Sequence, residues 1–355
     1  MKKNDKNKVF FHCGGTLDMR HGIVDMTYGA GGRATAELIQ SLFARYFSNP
    51  MLDEGHDGAT LPIMMRNPVV SCDAHVVRPL FFPGGDIGRL AVAGTVNDVA
   101  VCGAKPKWLT ASFILEEGLA LSELERIVRS MAETAEEAGV QIVTGDTKVV
   151  ERGHGDGVFI TTTGVGELLP GVHVSGKNAE EGDAVLITGT MGDHGMTLLA
   201  HREGLSMGAE LVSDCAPLAR MTTALLEKLG AKVHVLRDPT RGGLATTLNE
   251  IAAQSNVGIE IEEAVIPVLP AVRSVCELLG LDALYVANEG KLIVIVPQAD
   301  VNAALDSLRQ DPHGTEAVVI GRVTAEHPGE VRMRTSLGGW RRVEWLNADP
   351  LPRIC

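Results

Sequence analysis

The last residue of the chain, Cys355, carries the side chain with the most distinctive chemistry. A thiolate is a strong nucleophile and a good acyl carrier, but an unperturbed cysteine has a pKa of about 8.5, and the adjacent α-carboxylate disfavours ionisation further. A basic group must therefore meet this thiol where it reacts. Because Pro350 and Pro352 break regular structure, we predict an extended, flexible tail that carries Cys355 as a mobile arm.

Two aspartates are candidates for metal or nucleotide binding. Asp98 lies in a segment from Ile87 to about Cys102 that is apolar on nearly every side, which predicts a buried helix. An ionised carboxylate buried there needs a cation, a cluster of donors or a water-filled site. A capping or helix–helix hydrogen bond is the simpler alternative. Asp73 stands where a predicted strand over 68–73 ends.

Three further polar side chains follow predicted strands. Asp146 and Lys148 come after an apolar strand over 140–143, and ligands of α/β sheets bind where strands end. The pair could equally be a surface ion pair of little energy. Asp238 precedes a threonine, two glycines and a helix start, a pattern that suits a metal-bridged phosphate.

A glycine-rich turn lies near the start of the chain. Gly29, Gly31 and Gly32 precede a predicted helix over 36–47. Such a turn can present backbone N–H groups to an anion, although a plain turn fits the pattern equally well. Glu289 precedes an apolar strand, and its surroundings in the sequence are as compatible with a turn residue as with a functional one.

The predicted elements that position these groups have recognisable ends. Asp86 is a predicted N-cap, and Ser122 with Glu125 predicts a capping box for an amphipathic helix that stops at Gly139. The 355 residues fit two domains of roughly 150 residues each. Strands come in adjacent pairs as well as alternating with helices, so we predict an α/β fold with mixed sheets and helices on one face of each, not a Rossmann fold.

Composition excludes several classes of protein. There are 32 basic and 45 acidic residues, a net charge of −13, and no basic block with interleaved aromatics, which argues against a nucleic-acid partner. The six cysteines are scattered without a C-x-x-C pair, which argues against zinc and disulfides and implies a reducing compartment. No apolar run reaches the roughly 18 residues of a membrane helix, and the N-terminal lysines lack the apolar segment of a signal peptide. We therefore expect a cytoplasmic protein without a membrane partner.

Several motifs together resemble the HypE family of hydrogenase maturation proteins over residues 25–355. They are YGAGG, DAHVV, PLFFPGGDIG, VNDVA, FILEEG, TGDTKVV, GDHG, DPTRGGL, NEGKL and the terminal PRIC. This family belongs to a superfamily with aminoimidazole ribonucleotide synthetase, selenophosphate synthetase and thiamine monophosphate kinase. Residues 1–24 are an extension that the resemblance does not explain.

The resemblance implies a PurM-like fold of two domains. Residues 25–168 would form the N-terminal domain for ATP binding and dimerisation, 169–328 the C-terminal domain, and 329–355 the tail carrying Cys355. The N-terminal domains of a homodimer would form a β-barrel across their interface, which removes exposed sheet edges.

The resemblance also implies an ATP-dependent carbamoyl dehydratase of NiFe-hydrogenase maturation. Cys355 would receive a carbamoyl group from a HypF-like carbamoyltransferase, and ATP with Mg²⁺ would drive its dehydration to a thiocyanate with release of ADP and phosphate. The cyano group would pass to an iron centre held by HypC- and HypD-like proteins, where it becomes a cyanide ligand.

Individual residues match positions of the superfamily's nucleotide and metal site. The resemblance assigns Mg²⁺ binding to Asp73, Asp98 and Asp238, and makes Asp146 a candidate near the phosphates.

Other matched positions cover the nucleotide and the substrate. Gly29, Gly31 and Gly32 match a mobile loop over the nucleotide. Lys148 and Glu289 match a pair that would contact the carbamoyl group, with Glu289 the first choice for the base.

Two other functions are compatible with the pattern. The first is an ATP-dependent synthetase or kinase that acts on a free small molecule such as selenide or thiamine monophosphate, which needs no terminal thiol. The second is a non-catalytic scaffold that docks maturation partners and binds ATP only as a structural ligand. In that case Asp98→Asn would leave cyano-group delivery intact.

Overall fold

The computed structural model of the chain describes residues 17–30, 33–54, 58–205, 211–346 and 353–355. Gly31 and Gly32 of the predicted nucleotide loop lie outside these residues, as do Pro350 and Pro352 of the predicted tail.

The first half of the chain forms an α/β domain built on a mixed four-stranded sheet. The strand order is β1-β6-β4-β5, with β4 and β5 parallel and the other neighbours antiparallel. The elements are α1 (Arg33–Leu38), α2 (Ala44–Phe47), β1 (Pro68–His75), β2 (Phe81–Phe82), β3 (Gly85–Asp86), α3 (Ile87–Val101), β4 (Ala104–Glu116), α4 (Leu121–Ala138), β5 (Gln141–Val150) and β6 (Val158–Leu168). Helix α3 packs on β1, β6 and β4, and α4 packs on α3.

Helix α3 forms as its sequence predicts. The Asp86 side chain caps its first turn by accepting hydrogen bonds from the backbone N–H groups of Gly88 (2.7 Å) and Arg89 (3.0 Å). The helix is buried on nearly all sides, and only Arg89 and Asp98 are not fully buried. Asp98, near the C-terminal end of this helix, therefore lies at the edge of the domain core.

The opposite face of the first sheet is uncovered. Val70 on β1 is 62% exposed and Ile114 on β4 is 41% exposed, and Cys72 lies on the same open side. This open face explains one difference from the sequence prediction. Strand β5 does not end at residue 143 but continues through the polar residues Asp146 and Lys148, whose backbones pair with β4. Their polar side chains are tolerated within the strand because they face solvent.

The second half of the chain forms a mixed seven-stranded sheet with its helices. The order is β13-β12-β9-β11-β7-β10-β8, in which β12 and β9 are parallel. The elements are β7 (Asp183–Ile187), α5 (Asp193–Arg202), α6 (Ala219–Leu229), β8 (Val235–Arg237), α7 (Gly243–Ser255), β9 (Gly258–Glu262), α8 (Pro270–Leu279), β10 (Ile293–Pro297), α9 (Val301–Leu308), β11 (Val318–Thr324), β12 (Val331–Arg334) and β13 (Trp340–Val343).

The mixed α/β architecture is confirmed, and the second sheet differs from the prediction in its coverage. Alternate residues of β7 and β10 belong to two separate cores, one shared with α7 and the other with α6 and α9. Helices therefore cover both faces at its centre, not one, which is why β7 is buried along its whole length. Strands β12 and β13 fall within residues 329–355, the segment predicted as tail.

The described helices include none that is both long and apolar enough to cross a membrane. The described cysteines, all but Cys13 of the six, are free thiols.

Candidate active site

Acidic side chains from both domains meet where the two domains join. Asp73 comes from β1, Asp98 from α3, Asp238 from the loop after β8 and Glu289 from the loop before β10. The structure therefore brings together four of the predicted site residues from distant parts of the sequence.

Among the three predicted metal-binding aspartates, Asp98 and Asp238 have raised pKa values. Burial raises the pKa of Asp98, against the hydrogen bond that Ser71 Oγ donates to Asp98 Oδ2 at 2.7 Å, and the charge of Asp73 raises it further. Burial together with Asp98 raises the pKa of Asp238 to about 7. Such like-charge coupling is typical of carboxylates that share a cation or a phosphate-bound metal.

The donor set suits a magnesium ion that also has phosphate ligands. Within the described residues, no three His, Cys, Asp or Glu side chains are arranged to hold a metal ion alone. Mg²⁺ is usually held by one or two carboxylates, with waters and substrate phosphates completing its shell. The arrangement of Asp73, Asp98 and Asp238 therefore fits Mg²⁺ that enters with a nucleotide and does not fit a preformed all-protein cage.

Glu289 is the most deeply buried member of the cluster. Its residue is 4% exposed, and its Oε1 has no hydrogen-bond partner among the described residues. Burial first, and then the charges of Asp238 and the neighbouring aspartates, raise its pKa well above the ordinary value. Burial and the surrounding acidic groups therefore disfavour the ionised form of this carboxyl.

The backbone of Glu289 is fixed by a residue that the sequence analysis missed. Asp214 accepts hydrogen bonds from the N–H groups of Glu289 (3.1 Å) and Gly290 (3.3 Å) and pairs with Lys291 Nζ at 3.0 Å. Burial favours protonated Asp214, but the positive charge of Lys291 and the hydrogen bonds that Asp214 accepts outweigh it, so the pKa of Asp214 is lowered. No motif of the sequence singles this aspartate out.

Gly94 on α3 leaves the space into which these groups point. A Cβ atom at this position would lie 3.3 Å from His75 Cε1, 3.7 Å from Asp73 Oδ2 and 3.9 Å from Glu289 Oε2. Two side chains from β1 and one from the loop before β10 therefore converge on one point of the helix surface. His75 is buried, and its Nδ1 has no partner among the described residues.

The end of the chain docks beside this cluster. The N–H groups of Val76 and Arg78 donate to the terminal carboxylate of Cys355 (3.0 Å) and the carbonyl of Arg353 (3.1 Å), so the last residues pair in antiparallel fashion with the segment that follows β1. Ile354 is only 6% exposed and packs into a hydrophobic core that the first domain shares with α5 and α8. The terminal residues are therefore recognised by their backbone and by a buried side chain.

A buried histidine holds the docked tail through a hydrogen bond to its backbone. His194 Nε2 donates to the Ile354 carbonyl at 2.6 Å, and Ser213 Oγ contacts Nδ1 at 2.7 Å. Burial lowers the pKa of His194, so the ring is neutral with its proton on Nε2. Arg202 donates to the Arg353 carbonyl at 3.0 Å, and Arg353 pairs with Asp156 at 2.7 Å.

The docked thiol lies in a cavity of about 230 Å³ that is also lined by Arg241 and Tyr285. Arg241 Nε donates to Cys355 Sγ at 3.4 Å, which supplies the basic contact that a terminal thiol requires. Burial and the charge of Glu289 nevertheless raise the pKa of Cys355 to about 11, against the effect of Arg241. The docked cysteine is therefore a neutral thiol at physiological pH.

Three predicted residues lie away from this cavity. Asp146 and Lys148 form an exposed ion pair at 2.9 Å on β5. Ala74, which lines the cavity, pairs through Thr161 and Ser112 with Asp146 across the sheet. Three strand spacings of roughly 4.8 Å make about 14 Å, so Lys148 does not reach Cys355 of the same chain in this arrangement.

The third of these residues, Gly29, ends a short 3₁₀ helix, Met26–Gly29. A Cβ on Gly29 would lie 2.6 Å from the backbone nitrogen of Val149. This glycine therefore packs directly against β5, and its backbone lies at the same sheet edge as Lys148.

The comparison with protein families defines the class of this two-domain site. Residues 55–168 match the family model for the AIR synthase related protein, N-terminal domain, and residues 180–334 match the model for the corresponding C-terminal domain. The two domains are thus those of an AIR synthase related protein.

Individual relatives narrow this class. The carbamoyl dehydratase HypE of Cupriavidus necator is 57% identical over 341 residues, covering 96% of this chain and 97% of its own. A crystal structure of hydrogenase maturation protein HypE in complex with ATP matches with a TM-score of 0.90 at 52% identity, covering 93% of this chain and 99% of that one. A HypE–HypF complex matches with a TM-score of 0.77 at 48% identity, covering 87% and 99%. The chain belongs to the HypE family.

Proposed function

We propose that this protein is an ATP-dependent carbamoyl dehydratase of hydrogenase maturation, and that its substrate is a carbamoyl group on its own Cys355. The observation that carries the proposal is the position of the terminal thiol, which is docked by backbone hydrogen bonds in a cavity beside the acidic cluster. The ATP complex of one HypE relative and the carbamoyl dehydratase name of another support it.

The reaction removes the carbamoyl oxygen as phosphate. The oxygen attacks the γ-phosphorus of ATP, the bond to ADP breaks, and the phosphorylated oxygen then leaves carbon as phosphate. Both N–H protons leave the nitrogen, so that R–S–C(O)NH₂ and ATP give R–S–CN, ADP, phosphate and one proton. The site must bind phosphates, orient the carbamoyl group and accept protons.

The residues of the acidic cluster divide these tasks. Asp73, Asp98 and Asp238 would hold Mg²⁺, which when bound neutralises phosphate and carboxylate charge. Once the aspartates no longer repel its ionised form, Glu289 has a lower pKa and can take a proton from the carbamoyl nitrogen. The burial that raises the pKa of Glu289 also excludes water from the base.

The proposed reaction requires one partner that supplies the carbamoyl group and another that accepts the cyano group. We propose a HypF-like carbamoyltransferase as the donor, which the HypE–HypF complex of a relative supports, and a HypC–HypD-like iron scaffold as the acceptor of the cyano group. The docked thiol is neutral and enclosed, so loading requires the tail to leave the cavity. We also propose a cytoplasmic location, which the free thiols of the described cysteines support.

We also propose a homodimer in which the open faces of two first-domain sheets form a barrel. The exposed apolar side chains Val70 and Ile114 on that face support this arrangement. Lys148 lies on the same face, so we expect it, together with the nucleotide loop that includes Gly29, to serve the site of the second subunit. Asp146 would hold Lys148 in place until phosphate binds.

A function as a synthetase or kinase of a free small molecule is less favoured, because the terminal thiol occupies the cavity where such a substrate would bind.

Intact-mass analysis of the full-length protein tests the proposal. With a carbamoyl donor, a HypF-type transferase and ATP, we expect the protein to gain a carbamoyl group and then to lose one water in an ATP-dependent step. Cys355→Ser should show neither change, whereas Cys102→Ser, which alters another exposed thiol, should show both. Loading of Cys355 without any later loss of water would refute the dehydratase function.

A further inference from the structure

We propose that Arg241 is a catalytic residue that contacts the modified cysteine and binds the phosphoryl group during its transfer and release. This proposal rests on the proposed dehydratase function. It adds a cation from the same chain to a site whose predicted cation, Lys148, would come from the second subunit.

The first observation is contact with the reacting side chain. Arg241 Nε donates to Cys355 Sγ at 3.4 Å. A carbamoyl group on that sulfur has its carbon bonded to Sγ and its oxygen one bond further, within the cavity that Arg241 lines. The guanidinium therefore stands beside the oxygen that ATP must phosphorylate.

The second observation is that most of the guanidinium is free to bind an anion. Among the described residues, Arg241 makes no ion pair and no other hydrogen bond, although Asp73 and Glu289 are close enough to raise its pKa after the contact with Cys355. An arginine fork presents several N–H donors in one plane, which match the geometry of phosphate oxygens. The terminal nitrogens of Arg241 are therefore available for a phosphoryl group.

The third observation is the rigidity of the loop that carries it. Gly243 follows with a φ of 59°, and a Cβ there would lie 2.5 Å from the Val286 carbonyl oxygen. The backbone is pressed against the segment that leads to Glu289, and Asn288 binds the Pro239 carbonyl through its side chain (3.0 Å) and its backbone (3.1 Å). Arg241 and Glu289 are thus held on two loops that brace each other.

These contacts assign Arg241 to two moments of the reaction. During phosphoryl transfer, negative charge on the equatorial oxygens of the γ-phosphoryl group is stabilised by the guanidinium. During elimination, the same group stabilises the phosphate as the carbon–oxygen bond breaks, while protons leave the nitrogen toward Glu289. An arginine can serve both steps without giving up a proton, because it stays charged throughout.

The test uses full-length protein that has been carbamoylated on Cys355 and then mixed with ATP and Mg²⁺ in a single turnover. We expect Arg241→Met to load normally and to lose water at least about 100-fold more slowly than wild type, as for removal of an oxyanion donor. Arg241→Lys keeps the charge but not the fork, so an intermediate rate is expected. Arg322→Met, which alters a surface arginine paired with Glu260, is the matched control and should dehydrate at the wild-type rate.

The outcomes separate this proposal from the proposed function. Wild-type protein that is loaded but never loses water refutes the dehydratase function itself. Wild-type and Arg241→Met proteins that dehydrate at equal rates refute the role of Arg241 alone. If Arg241→Met unfolds, the comparison of Arg241→Lys with wild type decides, and free guanidinium added to Arg241→Ala should restore dehydration without changing the loading step.

Discussion

Removing the buried side chain of Ile354 should release the tail and expose the terminal thiol. Burying an isoleucine side chain contributes roughly 1.5–3 kcal/mol, and Ile354 is 6% exposed when docked. Ile354→Ser loses most of that contribution, so the ratio of docked to undocked tails should fall by roughly 10–100-fold. The thiol then leaves an environment that raises its pKa from 9.0 to about 11, which corresponds to roughly a 100-fold gain in thiolate.

Alkylation by iodoacetamide at pH 8 measures this change directly. The modification rate of Cys355, read by mass spectrometry against the exposed Cys102 in the same digest, should rise at least about tenfold in Ile354→Ser. Ile63→Ser is the matched control, because Ile63 is 99% exposed. Equal alkylation rates in wild type and Ile354→Ser would contradict the docked tail.

The same pKa shift makes docking depend on pH in a defined direction. The docked state binds the thiol proton more tightly than the free tail does, so docking is at full strength below the free pKa of 9.0 and weakens as pH rises toward about 11. The advantage of Ile354→Ser in thiolate-corrected alkylation should accordingly shrink at high pH, where the wild-type tail also undocks.

Three further predictions concern the acidic cluster. Glu289→Gln replaces a buried carboxyl with an amide of similar shape, so it should fold and accept the carbamoyl group but dehydrate it at least about 100-fold more slowly in a single turnover; an unchanged rate would exclude Glu289 as the base. Asp238→Asn should raise the thermal unfolding temperature of the nucleotide-free protein at pH 8 and have little effect at pH 4, because the raised pKa of about 7 means that the folded state loses stability as pH rises through that value; a gain of equal size at both pH values would contradict the coupling. Gly94→Val places a side chain within 3.7 Å of Asp73 Oδ2 and should weaken binding of ATP with Mg²⁺ at least about tenfold by calorimetry, whereas unchanged affinity would show that the nucleotide binds elsewhere.

Local physical chemistry was enough to predict the central helix and its cap. A continuous apolar segment after Asp86 could only be a buried helix, and the structure confirms both the helix and the side-chain cap. The predicted capping box at Ser122 is wrong. Glu125 instead accepts hydrogen bonds from Tyr46 (2.9 Å) and Arg45 (3.3 Å), and no side chain caps the helix. Tertiary hydrogen bonds to Glu125 therefore replace the local cap that the sequence predicted.

The predicted end of β5 was wrong because polar side chains there lie on an open sheet face. Asp146 and Lys148 read as residues beyond a strand, because no alternation of apolar side chains marks β5 after residue 143. The late strands Val331–Arg334 and Trp340–Val343 were missed for a related reason, since they are short and rich in arginine. Their pairing with each other and with β9 is a long-range property that local patterns do not carry.

The acidic residues of the site could be predicted from the sequence, but Arg241 could not. A carboxylate in an apolar helix signals function because its burial is costly, as for Asp98. Arg241 and Asp214 carry no such signal, since an arginine in a polar loop resembles any surface arginine. Only the docking of Cys355 against Arg241 distinguishes it.

The central claim is that the oxygen removed from the carbamoyl group on Cys355 leaves as phosphate. Full-length protein loaded with a carbamoyl group labelled with oxygen-18 and then mixed with unlabelled ATP tests this in one measurement, the mass of the released inorganic phosphate. The account predicts that the label appears in phosphate as Cys355 becomes a thiocyanate. Label that appears in water, or that stays on the protein while ATP is hydrolysed, would contradict it.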